Sequence, residues 1–299
     1  MSLSLHLAIG AFDGVHLGHR AVLHSAREAA RADGGIVGVL TYDPHPSKVL
    51  RPESAVPLVF TRAQKDERLT EAGAQLIHHE KFDRNHAGIE AAVFPKWLKQ
   101  TFPRLKSLHV GSNFQYGRGR AGHGETLIAH ASAEGLGVRL IAAVRLGDET
   151  VSSSRIRQCL ASGDLALANA MLLRPYEAEG VIIGGRRLGR TIGFPTVNVA
   201  WEPELKPAYG VYAVEVIFDG EALPAVANYG ERPTVESGPV APLLEAHVLR
   251  GPAPTTGDAV RIRWVRRLRA EQKFADLAAL QAQIARDSAQ ARQALGLSG

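Results

Sequence analysis

Two histidines near the start of the chain, His16 and His19, follow an apolar segment that runs into a glycine-containing turn. A turn leading from a strand directly into a helix points backbone N–H groups and the positive end of the helix dipole at a bound anion. Histidines three residues apart can then converge on one group of phosphate oxygens. In nucleotidyl transfer the attacking atom is already a phosphate oxygen, so hydrogen-bond donors matter more than a base. The pattern favours phosphate chemistry, although a capped helix with two surface histidines explains an isolated motif of this kind at least as well.

Three further polar segments follow predicted strands or begin a predicted helix. The first is the rigid turn DPHP at 43–46, and the second is the glycine- and aromatic-containing GSNFQYG at 111–117. The third, VSSSRIR at 151–157, offers three hydroxyl groups at a helix start where a cap needs only one, and then two arginines suited to phosphates. Together with the histidine motif, these segments favour a nucleotide site over unrelated surface features.

The second half of the chain carries another glycine-rich segment, GGRRLGRTIGFPTVN at 184–198. Its backbone amides and arginines can hold the phosphates of a nucleotide. Thr196 and Asn198, two apart in an extended segment, point to the same face and offer neutral oxygens, which suits a hard cation such as Mg²⁺. Glu245 is a carboxylate in an otherwise apolar strand and, if buried near a substrate, could accept a hydroxyl proton. The alternatives are a tight barrel corner for the glycine segment and an outward-facing, arginine-paired position for Glu245.

Two kinds of secondary-structure pattern surround these motifs. In the first half, apolar strands alternate with amphipathic helices, which predicts an α/β domain with a parallel, Rossmann-like sheet whose ligands bind beyond the strand carboxyl ends. In the second half, two short helices at 152–173 precede short strands separated by turns and one final amphipathic helix, which predicts a small antiparallel β-barrel with a terminal helix. We place the boundary so that the domains are 1–174 and 175–299. The predicted strands are 5–11, 36–42, 75–79, 107–111, 138–142, 181–183, 210–217, 224–227, 244–249 and 260–265, and the predicted longer helices are 20–31, 62–72, 125–134 and 274–294.

Composition excludes several classes of protein. A chain of 299 residues is long enough for about two domains, and the single cysteine, Cys159, excludes an intramolecular disulfide framework and a thiolate zinc site. The chain shows no signal-peptide pattern and no apolar run of about 20 residues, so we expect a soluble, cytoplasmic protein without a membrane partner. The net charge is +5, but the basic residues are scattered or lie beside the motifs, so a small anionic ligand explains them better than nucleic acid.

Taken together, the motifs resemble those of the bacterial bifunctional riboflavin kinase/FMN adenylyltransferase (FAD synthetase) family, from Ile9 to about Arg292. The matching sequences are GAFDGVHLGH, YDPHP, GSNFQYG and VSSSRIR in the first half, and GRTIGFPTVN, PAYGVY, ANYGERPT, the Glu245 strand and RAEQKF in the second. The resemblance implies ATP as co-substrate, Mg²⁺, no tightly bound prosthetic group, and riboflavin, FMN and FAD as ligands. The first domain would transfer the adenylyl group of ATP to FMN with release of pyrophosphate, and the second would phosphorylate riboflavin.

The resemblance also implies roles for individual residues. Catalytic roles fall to His16, His19, Arg155 and Glu245, the last activating the ribityl 5′-hydroxyl. ATP binding in the first domain falls to Gly10, Phe12, Asp13, Gly18, Asn113, Ser152, Ser153 and Arg157. Contacts with the flavin fall to Asp43, Pro44, His45, Pro46, Phe114, Arg269 and Glu271. In the kinase domain, ATP binding falls to Gly184, Arg190, Gly193 and Pro195, and metal binding falls to Thr196 and Asn198.

Two departures from the family pattern stand out. The loop after the Glu245 strand, 250–257, replaces a segment that usually contains Asp, Gly and Tyr, which puts kinase efficiency in doubt more than kinase identity. Ser154 stands where threonine is commoner, a change that keeps the hydroxyl. One rival interpretation is another nucleotidyltransferase of the same fold, which would lack a kinase half, and a second is a binding protein that has lost catalysis, which would have replaced the reactive residues. Oligomeric state, preferred divalent metal and domain arrangement stay open.

Overall fold

The computed structural model describes residues 3–185, 193–231 and 242–297 and divides into two compact units, Met1–Ser153 and Ser154–Gly299. The boundary between functional domains at 174/175 stays a prediction, because this division reflects packing alone. Within the described ranges no helix is both long and apolar enough to cross a membrane.

The first unit is built on a parallel sheet of five strands in the order β3-β2-β1-β4-β5, which confirms the predicted α/β class. The strand order reverses between β1 and β4, the position at which ligands bind beyond the carboxyl ends of an open parallel sheet. Its elements are β1 (Leu5–Ile9), α1 (Leu17–Asp33), β2 (Ile36–Asp43), α2 (Pro46–Leu50), α3 (Arg62–Glu71), β3 (Leu76–Lys81), α4 (Arg84–Ala87), α5 (Phe94–Thr101), β4 (Leu105–Gly111), α6 (Gly124–Ala133) and β5 (Gly137–Ile141), followed by the two-stranded ribbon β6 (Arg145–Leu146) and β7 (Glu149–Thr150).

Side-chain alternation along β1 explains why helices cover both faces of the sheet. Leu7 is fully buried and belongs to a cluster with Leu98 of α5. Ala8, on the opposite face, belongs to a second cluster with Leu23 of α1 and Leu69 of α3. Because successive strand residues point to opposite faces, the continuous apolar run of β1 is buried on both sides and holds the motif that follows it in a fixed position.

The second unit is a closed antiparallel barrel of six strands in the order β10-β11-β12-β9-β8-β13, again as predicted. Trp264 is fully buried inside it, with its ring centroid 4.7 Å from that of Tyr212 and 5.7 Å from that of Tyr229. The elements are α7 (Ser153–Ser162), α8 (Leu165–Leu172), β8 (Tyr176–Ile183), β9 (Val197–Ala200), β10 (Gly210–Phe218), β11 (Glu221–Glu231), β12 (Pro242–Val248), β13 (Ala259–Arg269) and α9 (Leu277–Ala294).

Several element bounds differ from the sequence-based expectation. β8 begins at Tyr176 rather than 181, because the carboxylate of Glu177, 3% exposed, accepts a hydrogen bond from Arg263 Nε of the neighbouring strand at 3.0 Å and is compatible with a barrel strand. α9 begins three residues later than predicted, since the Asp276 side chain accepts a hydrogen bond from the Ala279 backbone N–H at 2.8 Å and caps the helix there. Helix α5 was not predicted.

A buried chain of polar side chains runs behind the sheet of the first unit. His109, fully buried on β4, accepts or donates hydrogen bonds with Ser25 at 2.9 Å and Ser107 at 2.8 Å, and Ser107 contacts His6 Nδ1 at 2.7 Å. Burial, together with the positive charges that His6 and Arg139 can carry, lowers the pKa of His109 from 6.5 to about 4. The neutral imidazole is therefore the form that the folded unit accommodates.

We predict that acid destabilises the protein through His109. A histidine whose pKa is lower in the folded than in the unfolded chain stabilises the fold above pH 6.5, and this contribution is lost as the pH falls toward 4, by about 3 kcal/mol in full. Urea-unfolding midpoints measured between pH 7 and pH 4 should fall more steeply for the unmodified protein than for His109→Gln, whose amide does not titrate. Midpoints that fall equally with pH in the two proteins would show that another group causes the loss of stability in acid.

Candidate active sites

The turn between β1 and α1 holds two non-glycine residues in the left-handed backbone region. Phe12 has φ 51° and Val15 has φ 38°, and both side chains are at least 98% buried. A β-branched residue with positive φ is strained and persists only when surrounding packing holds it there. The apolar core therefore enforces this turn, which places the next residues at the carboxyl edge of the sheet.

His16 and His19 lie together immediately after this turn. Their rings stack with centroids 3.7 Å apart, and His16 caps α1 by accepting a hydrogen bond from the His19 backbone N–H at Nδ1, 3.4 Å away. Because Nδ1 accepts, the proton of a neutral His16 lies on Nε2. A methyl group added to Gly18 would lie 3.2 Å from His16 Cε1, so the glycine provides the space for this ring.

The environment of His19 favours its neutral form. Burial lowers its pKa well below the usual value, and the nearby His16 and Lys65 charges lower it further. Its Nδ1 is shielded from solvent and has no hydrogen-bond partner among the described residues. A buried ring nitrogen without a partner is costly, typically 1–3 kcal/mol, unless a ligand satisfies it.

The serine motif meets the same turn. The Ser153 hydroxyl donates a hydrogen bond to the Asp13 carbonyl oxygen at 2.8 Å, and the Asp13 carboxylate accepts one from the Val59 backbone N–H at 2.9 Å. Asp13, 4% exposed, thus braces the turn from two sides. Arg155 and Arg157 lie further along α7 in the second unit, and their predicted contacts with ATP stay predictions.

The other predicted segments follow the neighbouring strands at this edge. β2 ends at Asp43, which accepts a hydrogen bond from Arg62 at 2.8 Å, and His45 caps α2 by accepting from the Ser47 backbone N–H at 3.2 Å. After β4, Phe114 stacks on Tyr116 with ring centroids 5.8 Å apart and planes 8° from parallel. The predicted members Gly10, Pro44, Pro46, Asn113 and Ser152 lie in these same segments.

In the second unit, a cavity of about 820 Å³ collects most of the predicted kinase residues. Its walls come from the ends of the barrel strands, from the final helix and from the divergent loop, which contributes residues 253–256. Thr255 of this loop donates to Asp258 from both its backbone N–H and its hydroxyl, at 2.7 and 3.0 Å, so the loop has a defined anchor. The predicted residues that line the cavity are Gly184, Pro195, Thr196, Asn198, Glu245, Arg269 and Glu271.

Glu245 occupies the middle of a polar row across three strands. It pairs with Asn198 of β9 on one side and with Asn228 of β11 on the other. Residues directly opposite in antiparallel strands have Cβ atoms about 5 Å apart. All three side chains line the cavity, so the predicted base is flanked by two amides.

Arg269 forms an ion pair with the final helix, and its predicted contact with the flavin stays a prediction. Its guanidinium donates to both carboxylate oxygens of Asp287, with Nη2 2.8 Å from Oδ2, and to the Ala270 carbonyl at 2.9 Å. Asp287 is 2% exposed and lies on α9, so the pair ties the final helix to the barrel beside the cavity. Glu271 lies against Gly230, where an added methyl group would be 1.8 Å from its Oε1.

Two predicted kinase residues are not placed in the cavity. Arg190 falls in 186–192, outside the described residues. Gly193 has φ 87° and is not among the lining residues. Their role in ATP binding stays a prediction.

Sequence reasoning missed three residues that the structure brings to these sites. The charge of Lys65 on α3 lowers the pKa of His19, Asn228 pairs with Glu245 across two strands, and Gly185 lies against Asn198. The register of a barrel and the packing of a helix against a sheet edge are not readable from local spacing. Local signals existed for Asn228, which stands in the ANYG motif, and for Gly185, which stands in the glycine-rich segment 184–198, but not for Lys65.

Two protein families match successive parts of the chain. The FAD synthetase family model matches residues 3–155 and the riboflavin kinase family model matches residues 172–295. The bifunctional riboflavin kinase/FMN adenylyltransferase of Escherichia coli K12 is 39% identical over 98% of this chain and 93% of that protein. The bifunctional riboflavin kinase/FMN adenylyltransferase of Bacillus subtilis 168 is 34% identical over 95% of this chain and 90% of that protein.

A solved structure resembles the whole chain. It is described as a macrolide-efflux protein from Streptococcus pneumoniae and superposes with a TM-score of 0.88 at 26% sequence identity. The superposition includes 97% of this chain and 94% of that chain. That description belongs to the other protein. Because the two family models together match most of the chain and the relatives are similar over nearly its full length, the chain belongs to the bifunctional riboflavin kinase/FMN adenylyltransferase family, whose members are ATP-dependent enzymes of flavin cofactor biosynthesis.

Proposed function

We propose that each unit performs one of the two reactions of the family: the first converts FMN and ATP to FAD and pyrophosphate, and the second phosphorylates riboflavin with ATP. The observation that carries this division is that each unit has its own set of converging polar side chains, after β1 in the first unit and across three barrel strands in the second. These are the stacked His16 and His19 in the first unit and the row centred on Glu245 in the second.

In the first unit, the FMN phosphate oxygen attacks the α-phosphorus of ATP and pyrophosphate leaves. Negative charge builds up on the phosphoryl oxygens, and hydrogen-bond donors held in position stabilise it. His16 supports this role because its cap interaction leaves Nε2 to carry a proton, and His19 supports it through the unpartnered Nδ1 beside it. By resemblance to the family, we expect Arg155 and Arg157 to contribute positive charge to the binding of ATP.

The flavin ring of FMN needs an apolar platform near the same edge. The stacked pair of Phe114 and Tyr116 offers one, and Tyr116 packs in turn on Phe94, with centroids 5.2 Å apart. The turn at 43–46 borders the neighbouring strand end. Aromatic rings stack with each other at such distances, so this pair supports the flavin contact predicted for Phe114.

In the second unit, Glu245 accepts the proton of the riboflavin 5′-hydroxyl as that oxygen attacks the γ-phosphorus of ATP, and ADP leaves with the bridging oxygen. The carboxylate is half-buried and its two amide neighbours, Asn198 and Asn228, restrict its position. A base for phosphoryl transfer to an alcohol acts mainly by orienting the hydroxyl. The cavity is large enough for a flavin and a nucleotide phosphate to meet at this row.

The residues present fit the Mg²⁺ that the resemblance implies. Asn198 Oδ1 is buried without a hydrogen-bond partner, and the Thr196 hydroxyl lines the same cavity two residues earlier. Mg²⁺ takes oxygen ligands and usually keeps several waters and substrate phosphates, so two side-chain oxygens suit it when water and the ATP phosphates complete the set. When bound, the ion would neutralise charge on the ATP phosphates. In the described part of the chain no group of three or more His, Cys, Asp or Glu offers an alternative metal centre.

The rival interpretations have less support. A nucleotidyltransferase acting on another phosphorylated alcohol would not need the barrel or the riboflavin kinase match at 172–295. A binding protein without catalysis would not need a carboxylate between two amides at the cavity. A cytoplasmic location, and the absence of nucleic-acid and membrane partners, stay predictions.

We predict that the two activities can be removed separately. His19→Ala should slow FMN adenylylation by roughly 10²–10³, the usual effect of losing one transition-state donor, and leave riboflavin phosphorylation nearly intact. Glu245→Ala should have the opposite effect. Chromatography of FMN and FAD formed from riboflavin, or FAD formed from added FMN, measures both rates in one preparation. Equal loss of both activities in both variants would disprove the two-site assignment.

Gly185 gives a second prediction, because an added methyl group would lie 1.7 Å from Asn198 Nδ2. Gly185→Ala must displace the buried amide, and we expect riboflavin phosphorylation to fall by roughly tenfold or more with a higher Mg²⁺ requirement. Gly184→Ala, whose methyl group meets nothing within 4 Å, should have the smaller effect. Urea-unfolding midpoints of the two variants check their folding, and an unchanged Mg²⁺ dependence in Gly185→Ala would refute this role of the glycine.

A further inference from the structure

Lys65 is a cation in an unusual position in the first unit. It is the fourth residue of α3, close to the positive end of that helix dipole, where anions rather than cations are favoured. Its ammonium donates to the Thr41 hydroxyl at 3.2 Å, and Thr41 is fully buried near the carboxyl end of β2. Among the described residues Lys65 has no carboxylate within ion-pair distance, and its ammonium donates to no side chain of this part of the chain other than Thr41.

The surroundings of Lys65 are those of the nucleotide site. Its charge is close enough to His19 to lower the pKa of that imidazole, and it interacts electrostatically with Asp13 and Asp43, which flank the β1–α1 turn and the end of β2. Burial lowers the pKa of Lys65 itself, against the opposing effect of these acids and of Asp66. The same Thr41 hydroxyl that accepts from Lys65 donates to the Ala11 carbonyl at 3.0 Å, so the ammonium is joined through one side chain to the β1–α1 turn that leads to His19, whose buried Nδ1 has no partner among the described residues.

A purely structural role does not explain this arrangement well. A methionine would fill the same space, and sealing the Thr41 hydroxyl does not need a charge, because that hydroxyl already donates to the Ala11 carbonyl at 3.0 Å. Partly desolvated cations without a carboxylate partner destabilise a fold and are retained where an anionic ligand completes them.

We propose that Lys65 binds a phosphate group of a substrate in the adenylyl-transfer site, with its ammonium contacting an anionic oxygen beside His19. The proposal rests on the function proposed for the first unit. The phosphate belongs either to FMN or to the triphosphate of ATP, and the same hydrogen-bond chemistry serves both.

Steady-state FMN adenylylation by three variants tests the proposal. Lys65→Met removes the charge, Lys65→Gln removes the charge but keeps a donor for Thr41, and Lys81→Met is the control, since Lys81 is an 82% exposed lysine of the same unit. KM is measured for FMN at saturating ATP and for ATP at saturating FMN. We expect Lys65→Met and Lys65→Gln to raise one KM by about 10- to 100-fold, as for the loss of a charged hydrogen bond, while Lys81→Met matches the unmodified protein.

The outcomes separate the possible sources of the phosphate. A higher KM for FMN assigns the contact to the flavin phosphate, and a higher KM for ATP assigns it to the triphosphate. Unchanged kcat/KM for both substrates in Lys65→Gln overturns the proposal. The urea-unfolding midpoints of the same preparations show that each variant is folded, and an NMR titration should show the pKa of His19 rising when the charge is removed. Absence of adenylylation by the unmodified protein would instead refute the proposed function.

Discussion

Each site depends on polar atoms that the apolar frame buries but does not satisfy. His19 Nδ1 in the first unit and Asn198 Oδ1 in the second are both shielded from solvent, and neither has a hydrogen-bond partner in the described structure. Leaving such an atom unpaired costs typically 1–3 kcal/mol, a sizeable fraction of the stability of a domain. A ligand that supplies the missing partner recovers this free energy on binding. The surrounding strands must therefore be stable enough to hold these groups in place before substrate arrives.

The two units meet this requirement by different means. In the first, a strand buried on both faces ends in a turn whose strained residues, Phe12 and Val15, are fixed by the core, so His16 and His19 follow in a defined position. In the second, the closed barrel fixes register, and Glu245 is placed between two amides by strand pairing alone. Rigid elements position catalytic groups more accurately than loops do. In both units the strands therefore fix the positions of the polar side chains, although the two fold classes differ.

Sequence reasoning predicted the parallel sheet, the barrel and the segments that carry the motifs, because apolar periodicity and turn residues are local signals. It could not predict which side chains become neighbours across strands or between a helix and a sheet edge. Asn228 and Gly185 approach the kinase row only through barrel register and a close backbone approach. The charge of Lys65 affects the pKa of His19 only because of where α3 packs, and no spacing along the chain predicts this. Arg269 had a recognisable motif, but its pairing with Asp287 depends on how the final helix docks.

The two reactions must take place at two separate sites, one containing His19 and the other containing Glu245. Mixing purified His19→Ala and Glu245→Ala proteins with riboflavin, ATP and Mg²⁺ tests this most directly, because FMN made by the intact kinase site of one protein can diffuse to the intact adenylyl site of the other. The account predicts that the mixture forms FAD from riboflavin although neither variant does so alone at a comparable rate. A mixture that makes no FAD, while each variant retains its remaining activity, would contradict it.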